Sequence, residues 1–320
     1  MKKRQSVYDL YWYFAYERQE IFWRKKGGET SPWSLDPIFQ EYKFCNSYRV
    51  NDRVSQFLLS HIIYNGKHYS ERDVIFRILL FKLFNLESTW LSLEEHFKDV
   101  RLSSFDFEEA AAFLEQWRRE GHSIYNDAYI SCANKAYGYD QKHQNHLALL
   151  QEMFCEDHID RMLLDCREMK EAFLILKRYP LIGDFMAYQL VTDLNYSPLF
   201  SFSEHSFTVA GPGAKRGIEK CFSDLEGQSY EDVIKWMYEH QEEEFCRLGY
   251  AFRPLLGHRK LQYIDCQNIF CELDKYCRVA LPELKSNRVK IKKKYHPKSN
   301  PIDYCYPPKW KEESKNEGTT

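Results

Sequence analysis

Apolar residues recur at helical spacing along most of the chain, whereas alternating apolar and polar positions are scarce. Residues 5–25, 51–65, 70–86 and 105–121 each carry the helical pattern. Ser70 and Ser92 stand where helix N-caps are expected, and Gly121 stands where a helix ends. No alternating run is longer than about five residues. The pattern therefore predicts a mainly α fold of about ten helices.

The second half of the chain continues this pattern until its last 36 residues. We expect two helices within residues 142–179, one from about 213 to 224, and a final one over 264–281. Between them, a long helix follows a Ser229 cap and ends at Gly249. Lysine and proline then replace aliphatic residues. We therefore predict a helical domain over 1–284 and a basic, proline-containing irregular tail over 285–320.

Composition restricts the class of protein more than its function. The 320 residues are 44% hydrophobic and carry a net charge of -2, a balance that neither requires nor excludes nucleic acid. The ten cysteines form no CxxC pair, so we expect no metal site. The polar start, MKKRQSVYDLYWYF, gives no signal peptide, and no window approaches the ~20 apolar residues of a membrane span. We expect a cytoplasmic location.

Residues 179–184, Tyr-Pro-Leu-Ile-Gly-Asp, interrupt an apolar helical pattern. Proline ends one helix, and the glycine allows the chain to turn before a second helix begins. Backbone N–H groups at such a start point outward and can hold a phosphate. Gly183 and Asp184 are therefore candidates for contact with a DNA backbone. The alternative is an ordinary corner between two helices.

The same segment resembles the hairpin pattern of the DNA glycosylase superfamily, L-P-G-[IV]-G-x-x-[TA]-A, with Leu181 in place of the first glycine. That family places a catalytic aspartate about twenty residues later. Glu204 stands close to this position, and Asp193 is the competing carboxylate. A carboxylate stabilises the positive charge that builds on a sugar when a glycosidic bond breaks. The alternatives are a surface carboxylate for Glu204 and a helix-end cap for Asp193.

A glycine-rich stretch follows, FTVAGPGAKRGIEKCF at residues 207–222. Gly211 and Gly213 precede Lys215 and Arg216, and a turn of this kind at a helix start can hold a phosphate. The stretch is not a P-loop, because G-x-x-x-x-G-K-[ST] is absent. The alternative is a turn with two surface cations.

Two short stretches combine aromatic and polar side chains that suit the recognition of an extruded base. One is FCNSYRVNDR at residues 44–53, and the other is YNDAYI at 125–130. Asn and Arg can contact a base edge, and Tyr can stack on it. The alternative is a network that joins helices. The candidates for a base pocket are Asn46, Tyr48, Arg49, Tyr125, Asp127 and Tyr129.

Several segments together resemble one family across most of residues 10–280. They are residues 16–59, YNDAYI at 125–130, the hairpin with DLNY, VAGPGAKRGI, and FCELDKYCR at 270–278. The family is the helical domain associated with hydroxymethyl-deoxyuridine DNA kinases, which is similar to α-glutamyl/putrescinyl-thymine pyrophosphorylases. The resemblance implies a divergent helix-hairpin-helix DNA glycosylase-like fold that acts on modified pyrimidines in phage-type DNA. Lys275, in FCELDKYCR, is then a candidate for a phosphate contact or an amine nucleophile, although such a lysine is more often ion-paired.

The resemblance implies three alternatives for function. The first is a glycosylase that flips out and excises a hypermodified pyrimidine, such as glucosylated hydroxymethylcytosine, in anti-phage defence. The second is a transferase that installs an amine on an activated hydroxymethyl pyrimidine, and the third is a non-catalytic reader of modified DNA. In each case we expect double-stranded DNA carrying modified pyrimidines as the partner. We expect no cofactor, no membrane and no obligate protein partner.

Overall fold

The computed structural model describes residues 1–127, 133–284, 287–288, 290–291, 293–297 and 302–311. Its α-helices are α1 (Gln5–Lys26), α2 (Pro37–Glu41), α3 (Arg53–Phe57), α4 (Glu71–Phe84), α5 (Glu87–Phe97), α6 (Phe107–Arg119), α7 (Lys142–Gln151), α8 (Ile159–Leu164), α9 (Met169–Leu176), α10 (Asp184–Leu194), α11 (Pro212–Cys221), α12 (Tyr230–Glu239), α13 (Gln241–Arg247) and α14 (Tyr263–Ala280). Short 3₁₀ helices span Arg49–Asn51 and Leu102–Ser104, and π-helical turns span Leu58–Ile63 and Glu152–Glu156. Strands β1 (Lys2–Lys3) and β2 (Phe222–Asp224) pair antiparallel. The prediction of a mainly α fold is confirmed.

The chain divides into two compact units. Unit 1 comprises Met1–Asp52, Phe207–Tyr304 and Trp310–Thr320, and unit 2 comprises Arg53–Ser206 and Cys305–Lys309. The helical domain over 1–284 and the tail over 285–320 stay a prediction. In the predicted tail, Trp310 is buried within unit 1, where the Arg259 guanidinium lies 3.7 Å from the centre of its ring.

The core of unit 1 forms where α1 and α11 pack against α14. Tyr8, Tyr11 and Trp12 of α1 are completely buried. The ring of Tyr11 lies 4.5 Å from that of Phe270 on α14, and Trp12 meets Phe245 of α13 edge to face. Aromatic pairs of this kind add to the free energy of burial, so the helical spacing of aromatics in α1 provides the central packing face.

Unit 2 is built around α4, in which every residue from 75 to 84 is buried. A helix that is buried on all sides lies inside a domain, and α4 indeed packs against α7, α8 and α10. Its ends are set locally. Ser70 accepts a hydrogen bond from Asp73 N, and Asn85 ends the helix with a left-handed φ of 53°.

Several predicted boundaries are confirmed and others are wrong. Residues 142–179 contain three α-helices, α7, α8 and α9, where we predicted two. Ser70 and Ser229 cap α4 and α12, and Gly121 follows the end of α6 with a φ of 92°. Ser92 is not a cap, because α5 already begins at Glu87. The long helix predicted after Ser229 divides into α12 and α13 at His240, whose φ and ψ of -101° and 7° leave the helical region. No helix in the described part of the chain is long and apolar enough to cross a membrane.

Candidate functional site

Helices α9 and α10 form the predicted hairpin within unit 2. The turn contains Leu181 at a φ of 70°, in the left-handed region that favours glycine. This is the position at which the superfamily pattern has its first glycine. Leu181 adopts this conformation without being a glycine, and the burial of its side chain offsets part of the cost.

Gly183 is the N-cap residue of α10, and neither its conformation nor its packing requires a glycine. Its φ of -84° is open to any residue, and no described atom lies within 4 Å of the place that a Cβ would take. A glycine at an exposed helix start permits a partner to approach the backbone N–H groups closely.

Asp184 and Lys177 form an ion pair across the turn, with Oδ1 and Nζ 2.6 Å apart. Both side chains are about half exposed, so the pair adds roughly 0–1 kcal/mol to stability. A carboxylate in the first turn also interacts favourably with the helix dipole. It therefore occupies the electrostatic position that a phosphate would take.

Asp193 lies near the end of α10 and faces α4. Its Oδ2 is 2.9 Å from Nζ of Lys82, and both side chains are buried. Breaking such a pair leaves one charge uncompensated in the interior. In this structure, Asp193 thus anchors the hairpin to the central helix of unit 2.

Glu204 lies on the irregular segment that follows α10 and is partly exposed. Two residues absent from the sequence predictions hold the start of this segment. The Asn195 side chain accepts from Phe202 N and donates to Phe202 O, both at 3.0 Å. Nζ of Lys309 donates to the carbonyl oxygens of Asn195, Ser197 and Phe200. Asn195 belongs to the DLNY block, whereas no sequence pattern marked Lys309.

The glycines of the 207–222 stretch serve the packing of α11 on α14. A Cβ at Gly213 would lie 2.2 Å from Sγ of Cys271, and one at Gly217 would lie 2.1 Å from the Phe270 carbonyl oxygen. Gly211 is the N-cap residue of α11. Close helix contact, rather than a phosphate, is therefore sufficient to explain Gly213.

The two predicted cations of this stretch differ in their surroundings. Lys215 is exposed, with Nζ 5.4 Å from the centre of the Tyr230 ring. Arg216 is mostly buried, and its Nε donates to Oδ2 of Asp274 at 3.0 Å. Of these two cations, Lys215 is the one exposed to solvent, and Arg216 is held by Asp274.

Asp274 is fully buried on α14 and receives three cations, including Arg216. Lys220 Nζ lies 3.0 Å from its Oδ1, and Arg278 Nη2 lies 2.6 Å from its Oδ2. Burial alone would raise the pKa of Asp274, but the hydrogen bonds from Arg278, Arg216 and Lys220 hold that pKa below its usual value. The carboxyl is therefore ionised and partly neutralises the cluster.

The FCNSYRVNDR stretch forms a network within unit 1. Asn46 receives a hydrogen bond from Arg18 Nη2 and donates through its backbone N to Asp52 Oδ1. The Tyr48 hydroxyl donates to Arg259 O at 2.5 Å, and the whole side chain is buried. Arg49 is also buried, and its backbone N donates to Asp265. These hydrogen bonds attach the 44–53 stretch to α1, to α14 and to the loop that contains Arg259.

Lys275 lies one turn from Glu272 on α14, with Nζ 2.5 Å from Oε1. Burial by itself would lower the pKa of Lys275, but Glu272 together with the cysteines at 45 and 271 raises that pKa. An ammonium is not a nucleophile, so in this state Lys275 serves as an ion-pair partner.

The second aromatic patch lies in unit 2. The Tyr125 hydroxyl is 2.9 Å from Nδ1 of His146, and Lys142 Nζ lies 4.1 Å from the centre of its ring. Asp127 is exposed, and Tyr129 lies outside the described residues. The base-pocket candidates are thus divided between the units, with Asn46, Tyr48 and Arg49 in unit 1 and Tyr125 and Asp127 in unit 2. Among the described residues, no group of three His, Cys, Asp or Glu side chains is placed to bind a metal ion.

Comparison with known proteins shows which family the chain belongs to. A family model described as the helical domain of 5-hmdU DNA kinase matches residues 5–286. The chain belongs to this family. It is 26% identical over 324 residues to a 5-hmdU DNA kinase of Bacillus phage SP10, an alignment that covers 95% of this chain and 50% of that protein. The chain thus spans about half the length of this relative. No solved structure gives a significant match.

Proposed function

We propose that the chain is an enzyme acting on double-stranded DNA that carries hydroxymethylated or further modified pyrimidines. The match to the 5-hmdU DNA kinase helical domain over residues 5–286 carries this proposal. Because the relative is about twice as long, its complete activity does not transfer to this chain. The α9–α10 hairpin supports assignment to a helix-hairpin-helix DNA glycosylase-like fold.

In this proposal the hairpin contacts the DNA backbone at Gly183. The open space above this residue and the N–H groups of the first turn of α10 suit a phosphate oxygen. Lys177 and Arg178 are exposed beside it, so the hairpin offers two cations against the single carboxylate of Asp184. Lys215 is a further backbone contact from unit 1.

The first reaction we propose is excision of the modified base, as part of anti-phage defence. A base inside the duplex is unreachable, so the nucleotide is flipped out before its N-glycosidic bond breaks. Glu204 is the proposed catalytic carboxylate, because it is partly exposed on a segment held at its start by Asn195 and Lys309. Asp193 is the second candidate, and its buried pair with Lys82 must open before it acts. Tyr125 and Asp127 are the base-pocket candidates for this reaction, since they belong to unit 2 with Glu204 and neither is fully buried.

The second reaction we propose is group transfer to the modified base, which leaves the glycosidic bond intact. One observation favours it, since the relative is named a kinase and kinases are transferases. The carboxylate would then take a proton from an incoming amine, which displaces pyrophosphate from the activated hydroxymethyl carbon.

Product analysis distinguishes these reactions. The protein is incubated with DNA containing glucosylated hydroxymethylcytosine, with hydroxymethyluracil DNA and with unmodified DNA. Released modified base with an equal number of abasic sites establishes excision. An intact strand of altered mass, obtained from pyrophosphorylated hydroxymethyl DNA with an amine donor, establishes transfer.

The control variants locate the chemistry. Glu204→Gln should abolish turnover and retain DNA binding, whereas Glu156→Gln, which removes another exposed carboxylate of unit 2, should change neither. Binding to modified DNA without turnover of any of these substrates would indicate a reader instead. Full turnover by Glu204→Gln would move the assignment to Asp193.

A further inference from the structure

A cavity of about 340 Å³ in unit 1 lies outside the residues assigned above to catalysis or base recognition. It is lined by Arg4, Arg216, Glu219, Lys220, Glu283, Leu284 and Asn287. Three of these side chains are cationic. We propose that this cavity binds a phosphate-type oxyanion. The proposal does not depend on which reaction the protein catalyses.

The cations of the cavity retain donors for a ligand. Arg216 uses Nε for Asp274, and among the described residues its two terminal nitrogens have no hydrogen-bond partner. Arg4 uses Nη1 for the carbonyl oxygens of Glu219 and Phe222, at 2.6 and 2.8 Å, whereas its Nη2 and Nε have no partner in the described part of the chain. A guanidinium offers its donors as a planar fork that matches two oxygens of a phosphate.

The positions of these cations are fixed by contacts with Asp274 and with carbonyl oxygens at the end of α11. Asp274 forms ion pairs with Arg216 and Lys220, and both of these side chains have little solvent exposure. The end of α11 holds Arg4 through its carbonyl oxygens. Because these side chains are already held in place, ordering them when a ligand binds costs little conformational entropy. Asp274 is thus a positioning residue, and Arg4, Arg216 and Lys220 are the proposed ligand contacts.

The charge of the site favours an anion modestly. Arg216, Lys220 and Arg278 share the single carboxylate of Asp274, and Arg4 adds a fourth cation. Two carboxylates oppose them at the edge. Glu219 is exposed, and its Oε1 accepts a hydrogen bond from the Tyr230 hydroxyl on α12 at 2.7 Å. Glu283 is also exposed. The rim carboxylates weaken anion binding. Removing one of them should therefore strengthen phosphate binding, whereas removing a cation should weaken it.

The first test is titration calorimetry of the full chain with inorganic phosphate. We expect saturable binding that Arg216→Gln weakens at least tenfold. Lys260→Gln, which removes an exposed cation elsewhere in unit 1, should leave phosphate affinity unchanged. Glu283→Gln should tighten binding about threefold, as expected for loss of a nearby like charge. Absence of phosphate binding, or equal affinities in Arg216→Gln and the parent protein, would overturn the proposal.

A second variant protects the test against misfolding. Arg216→Gln could unfold because Asp274 loses a partner. Arg216→Lys keeps the ion pair with Asp274 but removes the planar guanidinium that can donate to two phosphate oxygens. It should still weaken phosphate binding, with an unchanged melting temperature. Arg216→Lys that binds phosphate as well as the parent would count against the site.

A competition arm distinguishes two sources of the oxyanion. If inorganic phosphate displaces a short unmodified duplex and Arg216→Lys weakens both ligands, the cavity takes a backbone phosphate of DNA. If phosphate binds without changing duplex affinity, the cavity takes a free phosphate compound. Both results support an oxyanion site. Failure of the glycosylase and transferase assays would leave these binding results unaffected.

Discussion

Lys82 and Asp193 form a buried ion pair in unit 2. Nζ of Lys82, on the central helix α4, lies 2.9 Å from Oδ2 of Asp193, on the second helix of the hairpin. Their side chains are only 6% and 1% exposed. Asp193, which the sequence made a candidate for catalysis, therefore has a structural partner in Lys82.

Removal of one charge from this pair should destabilise the protein strongly. We expect Lys82→Met and Asp193→Asn each to lower the free energy of unfolding by about 3–5 kcal/mol, because the remaining charged or polar group stays buried without its partner. The double variant Lys82→Met/Asp193→Leu should recover part of that loss. Urea denaturation measures all three. An Asp193→Asn protein as stable as the parent would contradict the anchoring role.

Alanine at the glycines of α11 should destabilise unit 1 according to what each new Cβ meets. Gly217→Ala should lower the free energy of unfolding by about 1–3 kcal/mol, since a backbone carbonyl at 2.1 Å cannot rotate away. Gly213→Ala meets the Cys271 side chain instead, and Cys271→Ala should relieve part of its effect. Gly183→Ala, with open space around it, is the control. Equal urea midpoints for Gly217→Ala and Gly183→Ala would show that α11 and α14 can move apart at little cost.

A larger residue at Gly183 should impair DNA binding without changing the fold. Gly183→Val should weaken duplex affinity about tenfold, as expected for the loss of one hydrogen bond to a charged group. Fluorescence anisotropy with a labelled duplex measures the affinity, and a thermal melt checks the fold. Unchanged affinity in a folded variant would remove the hairpin from the DNA interface.

Removing the carboxylate of Asp184 should have the opposite effect on DNA binding. Asp184→Asn keeps the size of the side chain, eliminates repulsion of a phosphate and releases Lys177 from its ion pair. We expect duplex affinity to rise about threefold at low salt and less at high salt, because the charges are exposed. The same anisotropy assay at two salt concentrations provides the test. Weaker binding by this variant would mean that Asp184 itself contacts the DNA.

His143 should make the stability of unit 2 sensitive to mild acid. Burial lowers the pKa of His143, an effect that the nearby Glu115 only partly opposes. A lowered folded-state pKa contributes stability above the unfolded pKa of about 6.5, and this contribution is lost as pH falls through the folded value. His143→Gln should therefore flatten the dependence of the urea midpoint on pH between about 7 and 5. Parallel pH profiles would exclude His143 as the cause.

Local signals predicted local structure well. Ser70, Ser229 and Gly121 mark helix ends because a cap depends on atoms within a few residues of it. Ser92 carried the same signal and lies inside α5, since the apolar face of that helix extends the helix toward Glu87.

The candidate site was less predictable because one residue pattern suits two structures. A glycine-rich helix start followed by cations is typical of a phosphate cradle. The same glycines also permit close helix packing, and the contact with Phe270 identifies the second use for Gly217. Likewise, Tyr48 has the side chain of a stacking platform, yet its hydroxyl bonds within the core.

The sequence by itself determined the helical class, the hairpin and the family, because periodicity, caps and motif blocks are properties of neighbouring residues. Only the tertiary structure decided which charges meet. Lys82 with Asp193, and Arg216, Lys220 and Arg278 with Asp274, are chosen by the burial of helices that approach from different parts of the chain. An isolated charge is too costly to bury, so the fold selects the partner that neutralises it.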